Sequence, residues 1–344
     1  MVSRVRGVSY YLISIIVFIL IGTETLVRVF HLARPLPNLY RYSDPDPHLP
    51  YRPRPHSREV LTSDSGEFTI EYRHNSLGFR DVEHTFRKSA NVFRILTLGD
   101  SFTYGEGAAF ESTYPYRLEK TLNLRQGHPP VEVIKAGIYR FFPEAERILL
   151  QYDGLKFHPD LIVVEFTTND VIDTYLGIDA VHATANGNLL TSQARRLGSW
   201  GTWLYIHSHS ARLLLSKYLS WKYQKSFRID WPEIYKAAGY YENSWEKIES
   251  EFDQMVRLAR QDHCKIVFFY LPDDLSQDHS RINQRLLKWS KHESVPFVDL
   301  TPAMRAAALH ERLYWPKDGH CTPAGYKVIS DTLCKDILQS GLVP

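Results

Sequence analysis

Two short stretches, more than two hundred residues apart in sequence, carry the residue types for nucleophilic catalysis. The first is Leu98-Gly99-Asp100-Ser101-Phe102-Thr103-Tyr104-Gly105, entered from the apolar run Phe93–Leu98. A buried strand ending in a tight turn puts the Ser101 hydroxyl at the strand's C-terminal end, where open α/β sheets place their ligands. A serine hydroxyl is a weak nucleophile at neutral pH and needs a base. His320, in Asp318-Gly319-His320-Cys321-Thr322-Pro323, is the candidate. The chain has 15 histidines, most of which must be structural. His320 differs in lying in a loop, beside an acid, just ahead of a helix that Thr322-Pro323 opens.

The elements that must position these residues form an alternating series. Apolar runs at Phe93–Leu98, Val131–Ile134, Leu161–Phe166, Ile266–Leu271 and Phe297–Leu300 predict strands. Helices are expected between them, opened by Thr113 with Pro115, by Pro143, by Ser244 as a cap, and by Thr322-Pro323. Short apolar strands alternating with helices indicate a parallel sheet covered on both faces, here a three-layer α/β/α domain with a five-stranded sheet.

Three segments break the alternation. Residues 8–22 carry no charge and follow Arg4 and Arg6, which predicts an N-terminal transmembrane helix if the helix continues to Phe30. No small-x-small cleavage site follows closely, so a signal-anchor is preferred to a cleaved secretory signal. Positive-inside logic puts Arg4 and Arg6 in the cytoplasm and the catalytic domain outside it, as a single-pass, membrane-anchored protein. Residues 31–90 form a connecting segment, with Pro35, Pro37, Pro45, Pro47, Pro50, Pro53 and Pro55 favouring an extended tether and Phe68–Tyr72 alternating as a strand of a small hairpin. The interval 172–243 is too long for an ordinary crossover. It holds Trp200, Trp203, Tyr205, Tyr218, Trp221 and Tyr223 with Lys217, Lys222, Lys225 and Arg228. It is expected to be a helical insert with its own core, or else a lid or a face that touches the bilayer. The domain reading is thus anchor 1–30, connecting segment 31–90 and catalytic domain 91–344.

Totals exclude several classes. A net charge of +2 on 344 residues, with the charges mixed, gives no reason to expect a nucleic-acid partner. Cys264, Cys321 and Cys334 have no metal-ligand spacing, and an odd number cannot complete a disulfide framework. Aromatics at 13% suit carbohydrate, lipid or interface contacts as well as core packing.

Gly99-Asp100-Ser101-Phe102 resembles the first block of the SGNH (GDSL-type) hydrolases, and the order of elements extends the resemblance over residues 91–338. The family has an α/β/α flavodoxin-like domain and transfers or hydrolyses acyl groups with a Ser–His–Asp set and a three-part oxyanion hole. Thr167-Thr168-Asn169-Asp170 resembles the G-x-N-D block, with Thr167 in place of the usual Gly. Asp318-Gly319-His320 resembles the last block in a D-x-H form, one residue shorter than the commoner D-x-x-H. Lys135-Ala136-Gly137-Ile138-Tyr139-Arg140 stands where N-x-G-x-x-G is usual, keeping Gly137 but placing Lys135 and Arg140 at the Asn and second Gly positions. The resemblance implies Ser101 as nucleophile, His320 as base and Asp318 as the residue orienting the imidazole, with Asp299 as fallback. It implies an oxyanion hole from the N–H groups of Ser101 and Arg140 and the Asn169 amide, a neutral donor set suited to a developing anion. Asp100 is expected to be structural, and the Arg140 side chain to narrow the acyl pocket or attract an anionic substrate. No metal or organic cofactor is implied. The expected activity is ester hydrolysis through an acyl-enzyme on an acylated small molecule, lipid or glycan. The alternatives are an O-acyltransferase or deacetylase acting on cell-surface polysaccharide, and a non-catalytic domain that binds glycan or a partner.

Overall fold

Apolar runs without alternation have two faces to bury, and in this chain both are buried by helices. The computed structural model describes residues 2–33, 44–63, 65–126, 128–183, 189–191, 197–223 and 239–344. From the N-terminus the elements are α1 (Val2–Val29), the antiparallel pair β1 (Arg58–Thr62) and β2 (Thr69–Arg73), then β3 (Phe93–Leu98), α2 (Ser101–Tyr104) and α3 (Tyr114–Asn123). Next come β4 (Val131–Lys135), α4 (Pro143–Tyr152), β5 (Leu161–Thr167) and α5 (Asn169–Leu176). The insert holds a short pair, β6 (Val181–Ala183) with β7 (Leu189–Thr191), and the helices α6 (Gly198–His207) and α7 (His209–Tyr223). The chain closes with α8 (Tyr240–Gln261), β8 (Lys265–Leu271), α9 (Ser280–Glu293), β9 (Phe297–Asp299), α10 (Thr301–Ala308) and α11 (Pro323–Gln339).

The main sheet has five strands in the order β4-β3-β5-β8-β9, and every pairing is parallel. Alternate residues go to opposite faces. Leu96, Leu98, Ile162 and Val164 pack with Leu149 of α4, Phe252 and Met255 of α8 and Leu286 of α9. Ile95, Val133, Val163 and Val267 pack with Leu118 and Leu122 of α3 and Ile329 and Leu333 of α11. The three-layer α/β/α reading holds. The order in which strands are added reverses at β3, with β4 on one side and β5 on the other, so the crevice beyond the C-terminal ends of β3 and β5 is the fold's ligand position.

Local signals behave as expected with one exception. Pro143 is the first residue of α4, and Thr322 caps α11, its hydroxyl accepting the Gly325 N–H. Ser244 does not cap α8. The helix begins at Tyr240 after Gly239 in the left-handed region, and the Ser244 hydroxyl bonds back to the Tyr240 carbonyl at 2.8 Å. A serine one turn into a helix makes this bond as readily as a capping bond, so its presence did not locate the start. Pro35, Pro37, Lys225 and Arg228 lie outside the described residues.

Candidate active site

Strand β3 ends at Leu98, and the chain turns at Gly99-Asp100 into the single helical turn α2. Asp100 caps that turn, its Oδ1 accepting the Phe102 N–H at 2.8 Å. Ser101 becomes the first residue of the turn and is almost wholly buried. Strand β5 delivers Thr167, Thr168 and Asn169 beside it, because β3 and β5 are direct neighbours. His320 arrives from the loop before α11.

His320 Nε2 lies 2.9 Å from Ser101 Oγ, and His320 Nδ1 lies 2.6 Å from Asp318 Oδ1. With Nδ1–H donating to the carboxylate, the tautomer leaves the Nε2 lone pair facing the serine hydroxyl. The two-residue spacing of Asp318 and His320 closes because Gly319 between them has φ of +88°, a left-handed conformation that turns the carboxylate back onto the ring. The imidazole is flanked by Phe102 and Tyr139, with ring centroids 5.2 Å and 5.9 Å away. Asp299, the fallback partner, is used elsewhere: its Oδ1 accepts the Thr301 N–H at 2.9 Å at the start of α10.

Asn169 Nδ2 donates to Asp100 Oδ2 at 2.9 Å, and Asn169 Oδ1 accepts the Thr167 hydroxyl. The Thr167 side chain, which replaces a glycine of the motif, thereby fixes which end of the amide points toward Asp100. Burial raises the Asp100 carboxyl to about 6, against the hydrogen bonds from Phe102 and Asn169 that favour its ionised form. Beneath the turn, Glu165 on β5 accepts the Thr103 hydroxyl, and burial holds its carboxyl well above the usual range. Glu146 on α4 and Asp170 on α5 are buried with unpaired carboxylate oxygens and are raised by burial in the same direction.

The loop after β4 approaches α2 so closely that a Cβ on Gly137 would overlap the Thr103 and Tyr104 backbone. That close approach accounts for the retained glycine. Arg140 adopts φ of +60°, the left-handed conformation that the usual glycine would take without strain. Its guanidinium pairs with Asp173 at 3.1 Å, and that carboxylate raises its pKa further. The charge beside the site is therefore matched within the protein rather than presented alone. Lys135 lies away from the substrate side, buried, with Nζ 3.1 Å from Asp81 and 3.0 Å from the Val133 carbonyl.

Residues 44–90 contribute contacts that the sequence did not disclose. Glu67, in the β1–β2 turn, accepts the Lys317 and Asp318 N–H groups on one oxygen at 3.0 Å and 2.9 Å. Arg80 is buried and donates to the Tyr104, Gly105 and Ala108 carbonyls at 3.2, 2.5 and 2.8 Å, with its guanidinium 4.4 Å from the Tyr72 ring centroid. Tyr51 donates to the Tyr139 carbonyl at 2.6 Å. Each braces a different edge of the site.

Comparison with known proteins identifies the family. A family model described as the GDSL-like lipase/acylhydrolase family matches residues 97–328, more than half of the chain. The chain belongs to the GDSL-like lipase/acylhydrolase family. It is accordingly an ester-acting hydrolase, built on the fold described above. Solved structures similar to this GDSL hydrolase include a lipolytic G-D-S-L family protein from Veillonella parvula, at 10% identity over 72% of this chain and 99% of that one, with a TM-score of 0.42. A catalytic mutant of an acetylxylan esterase from Geobacillus stearothermophilus is similar at 13% identity over 71% of this chain and 94% of that one, with a TM-score of 0.43. A search of curated proteins gives no match.

Proposed function

We propose that this GDSL hydrolase cleaves ester-linked acyl groups through an acyl-enzyme on Ser101. One observation carries the proposal: the unbroken hydrogen-bonded line from Ser101 Oγ to His320 Nε2 at 2.9 Å and from His320 Nδ1 to Asp318 at 2.6 Å. His320 takes the hydroxyl proton as Ser101 attacks the ester carbonyl. The tetrahedral oxyanion is held by the Ser101 and Arg140 N–H groups and by the Asn169 amide. Collapse breaks the ester C–O bond, and His320 returns the proton to the leaving alcohol. Water, deprotonated by the same imidazole, then releases the acid and restores Ser101. Asp318 keeps Nδ1 protonated and the ring oriented throughout. Asp100 does not join this relay. Its carboxylate caps α2 and holds the Asn169 amide.

Among the described residues one helix is long and apolar enough to cross a membrane, Tyr10–Val29, with mean hydropathy 2.2 and little of it buried. We read it as a single-pass anchor with the catalytic domain outside the cytoplasm, which makes membrane-proximal acylated lipid or glycan the expected substrate class.

The test is labelling of the full chain with a fluorophosphonate probe beside Ser101→Ala, together with turnover of short p-nitrophenyl esters. Labelling of the parent at Ser101 and ester turnover, both abolished in the variant, are expected. A parent chain that neither labels nor turns over esters would overturn the acyl-enzyme reading.

A further inference from the structure

Helices α6 and α7 form a hairpin hinged at Ser208, with a small core of its own: Tyr205 buried among Leu197, Ile206 and Leu215. That cluster is separate from the two that cover the sheet. The bonds that fix the hairpin run to the last turns of α1. The Glu24 carboxylate accepts the Ser208 hydroxyl at 2.8 Å and the His209 and Ser210 N–H groups at 2.9 Å each. It thereby satisfies the first backbone donors of α7, which has no carboxylate of its own in its first turn. Arg28 pairs with Glu24 at 2.7 Å and donates to the His207 carbonyl at 3.3 Å. An acid and a base near the end of an apolar span are thus consumed in holding the hairpin there.

The outer faces of the hairpin are apolar and open. Trp200, Trp203 and Leu204, spaced i, i+3, i+4 on one face of α6, are 82%, 53% and 42% exposed. Leu214 and Tyr218 form an i, i+4 pair on α7 at 67% and 43%. A face of that composition, fixed to the end of a membrane span, has tryptophan and tyrosine where interfacial belts place them.

The geometry points to the α6–α7 hairpin being a second membrane contact, its Trp200–Trp203–Leu204 face seated at the headgroup–acyl boundary of the bilayer that α1 crosses. This rests on the reading of α1 as a span. The hairpin is then a stabiliser of the catalytic domain's stance on the membrane rather than a lid over Ser101. Its separate core and its capping by Glu24 tie it to the anchor.

The test uses the full chain in phosphatidylcholine vesicles containing phosphatidylglycerol. Single cysteines are introduced by Trp203→Cys, Leu214→Cys, Ile16→Cys and Leu124→Cys and labelled with an environment-sensitive fluorophore; the native cysteines are buried. Fluorophosphonate labelling of Ser101 serves as the fold control. Blue-shifted emission, quenched by shallow doxyl lipids, is expected at positions 203 and 214 as well as at 16, and not at 124, which is exposed at the end of α3. If position 16 responds while 203 and 214 behave like 124, the hairpin proposal is overturned and the span stands. Emission at 203 that follows fluorophosphonate occupancy instead of lipid also overturns it, in favour of a lid. If position 16 itself fails to respond, the span reading falls and the proposal falls with it.

Discussion

Glu67→Ala tests whether the β1–β2 hairpin positions Asp318, the proposed partner of His320. One Glu67 oxygen accepts the N–H groups of Lys317 and Asp318, at 3.0 Å and 2.9 Å, and also the Ser65 hydroxyl at 3.0 Å. Removing the carboxylate frees the backbone that carries Asp318, and with it the 2.6 Å contact to His320. Hydrogen bonds to a charged group contribute roughly 1.5–3 kcal/mol each when buried. Glu67 is half-exposed and water replaces part of the loss, so about 1–2 kcal/mol of loop ordering is at stake. If that loss falls on the transition state, the rate drops about 5- to 30-fold at 1.36 kcal/mol per decade. The assay is the second-order rate of Ser101 labelling by a fluorophosphonate, with kcat and KM on a p-nitrophenyl ester measured alongside. A fall in labelling rate and kcat with KM unchanged is expected, and Glu67→Gln, which keeps an acceptor oxygen, should recover part of it. A labelling rate within about twofold of the parent, in a protein of unchanged thermal stability, would refute the positioning role, since even 1 kcal/mol exceeds that.

Asp318→Asn should lower kcat by up to about 10⁴-fold by favouring the wrong imidazole tautomer, whereas Asp299→Asn should leave steady-state turnover near that of the parent. Arg80→Met removes three donors to the carbonyls behind Ser101 and should cost at least about 3 kcal/mol, read as a lowered temperature at which fluorophosphonate reactivity is lost. Glu146→Met removes two buried, unpaired carboxylate oxygens. Because burial raises the folded-state pKa of Glu146, its cost to stability grows as pH rises above the unfolded value, so the variant's gain in unfolding midpoint should be larger at pH 8 than at pH 5. A chain beginning at residue 91 should lose Ser101 labelling, whereas one beginning at residue 44 should keep it, measured on matched amounts of soluble protein.

The sheet was legible because a parallel strand buried on both faces is a continuous apolar run, and Phe93–Leu98 through Phe297 say so directly. The neighbourhood of Ser101 and Asn169 followed from strand order, since the first and third strands of such a sheet are neighbours, whereas His320 was singled out by its loop, its adjacent acid and the resemblance to the family's last block. The shortened Asp318–His320 spacing was also readable in principle, because the intervening residue is a glycine and φ at that position is +88°. The bracing of the site was not. Glu67 and Arg80 act across 250 and about 25 positions of sequence through backbone carbonyls and N–H groups. Such acceptors and donors belong to every residue and leave no pattern. Lys135 stands at the family's asparagine position, yet its charge is spent on buried Asp81. The fold had turned that side chain away from the crevice.

The segment 44–90 therefore does more than connect α1 to the sheet. Its proline content makes it stiff, and its Arg80, Glu67 and Tyr51 reach the nucleophile turn, the Asp318 loop and the Tyr139 loop respectively. Together with the stretch 167–169 at the end of β5, these are the stretches that build the site around Ser101. A covalent tether that merely spaced a domain from a membrane would need none of them.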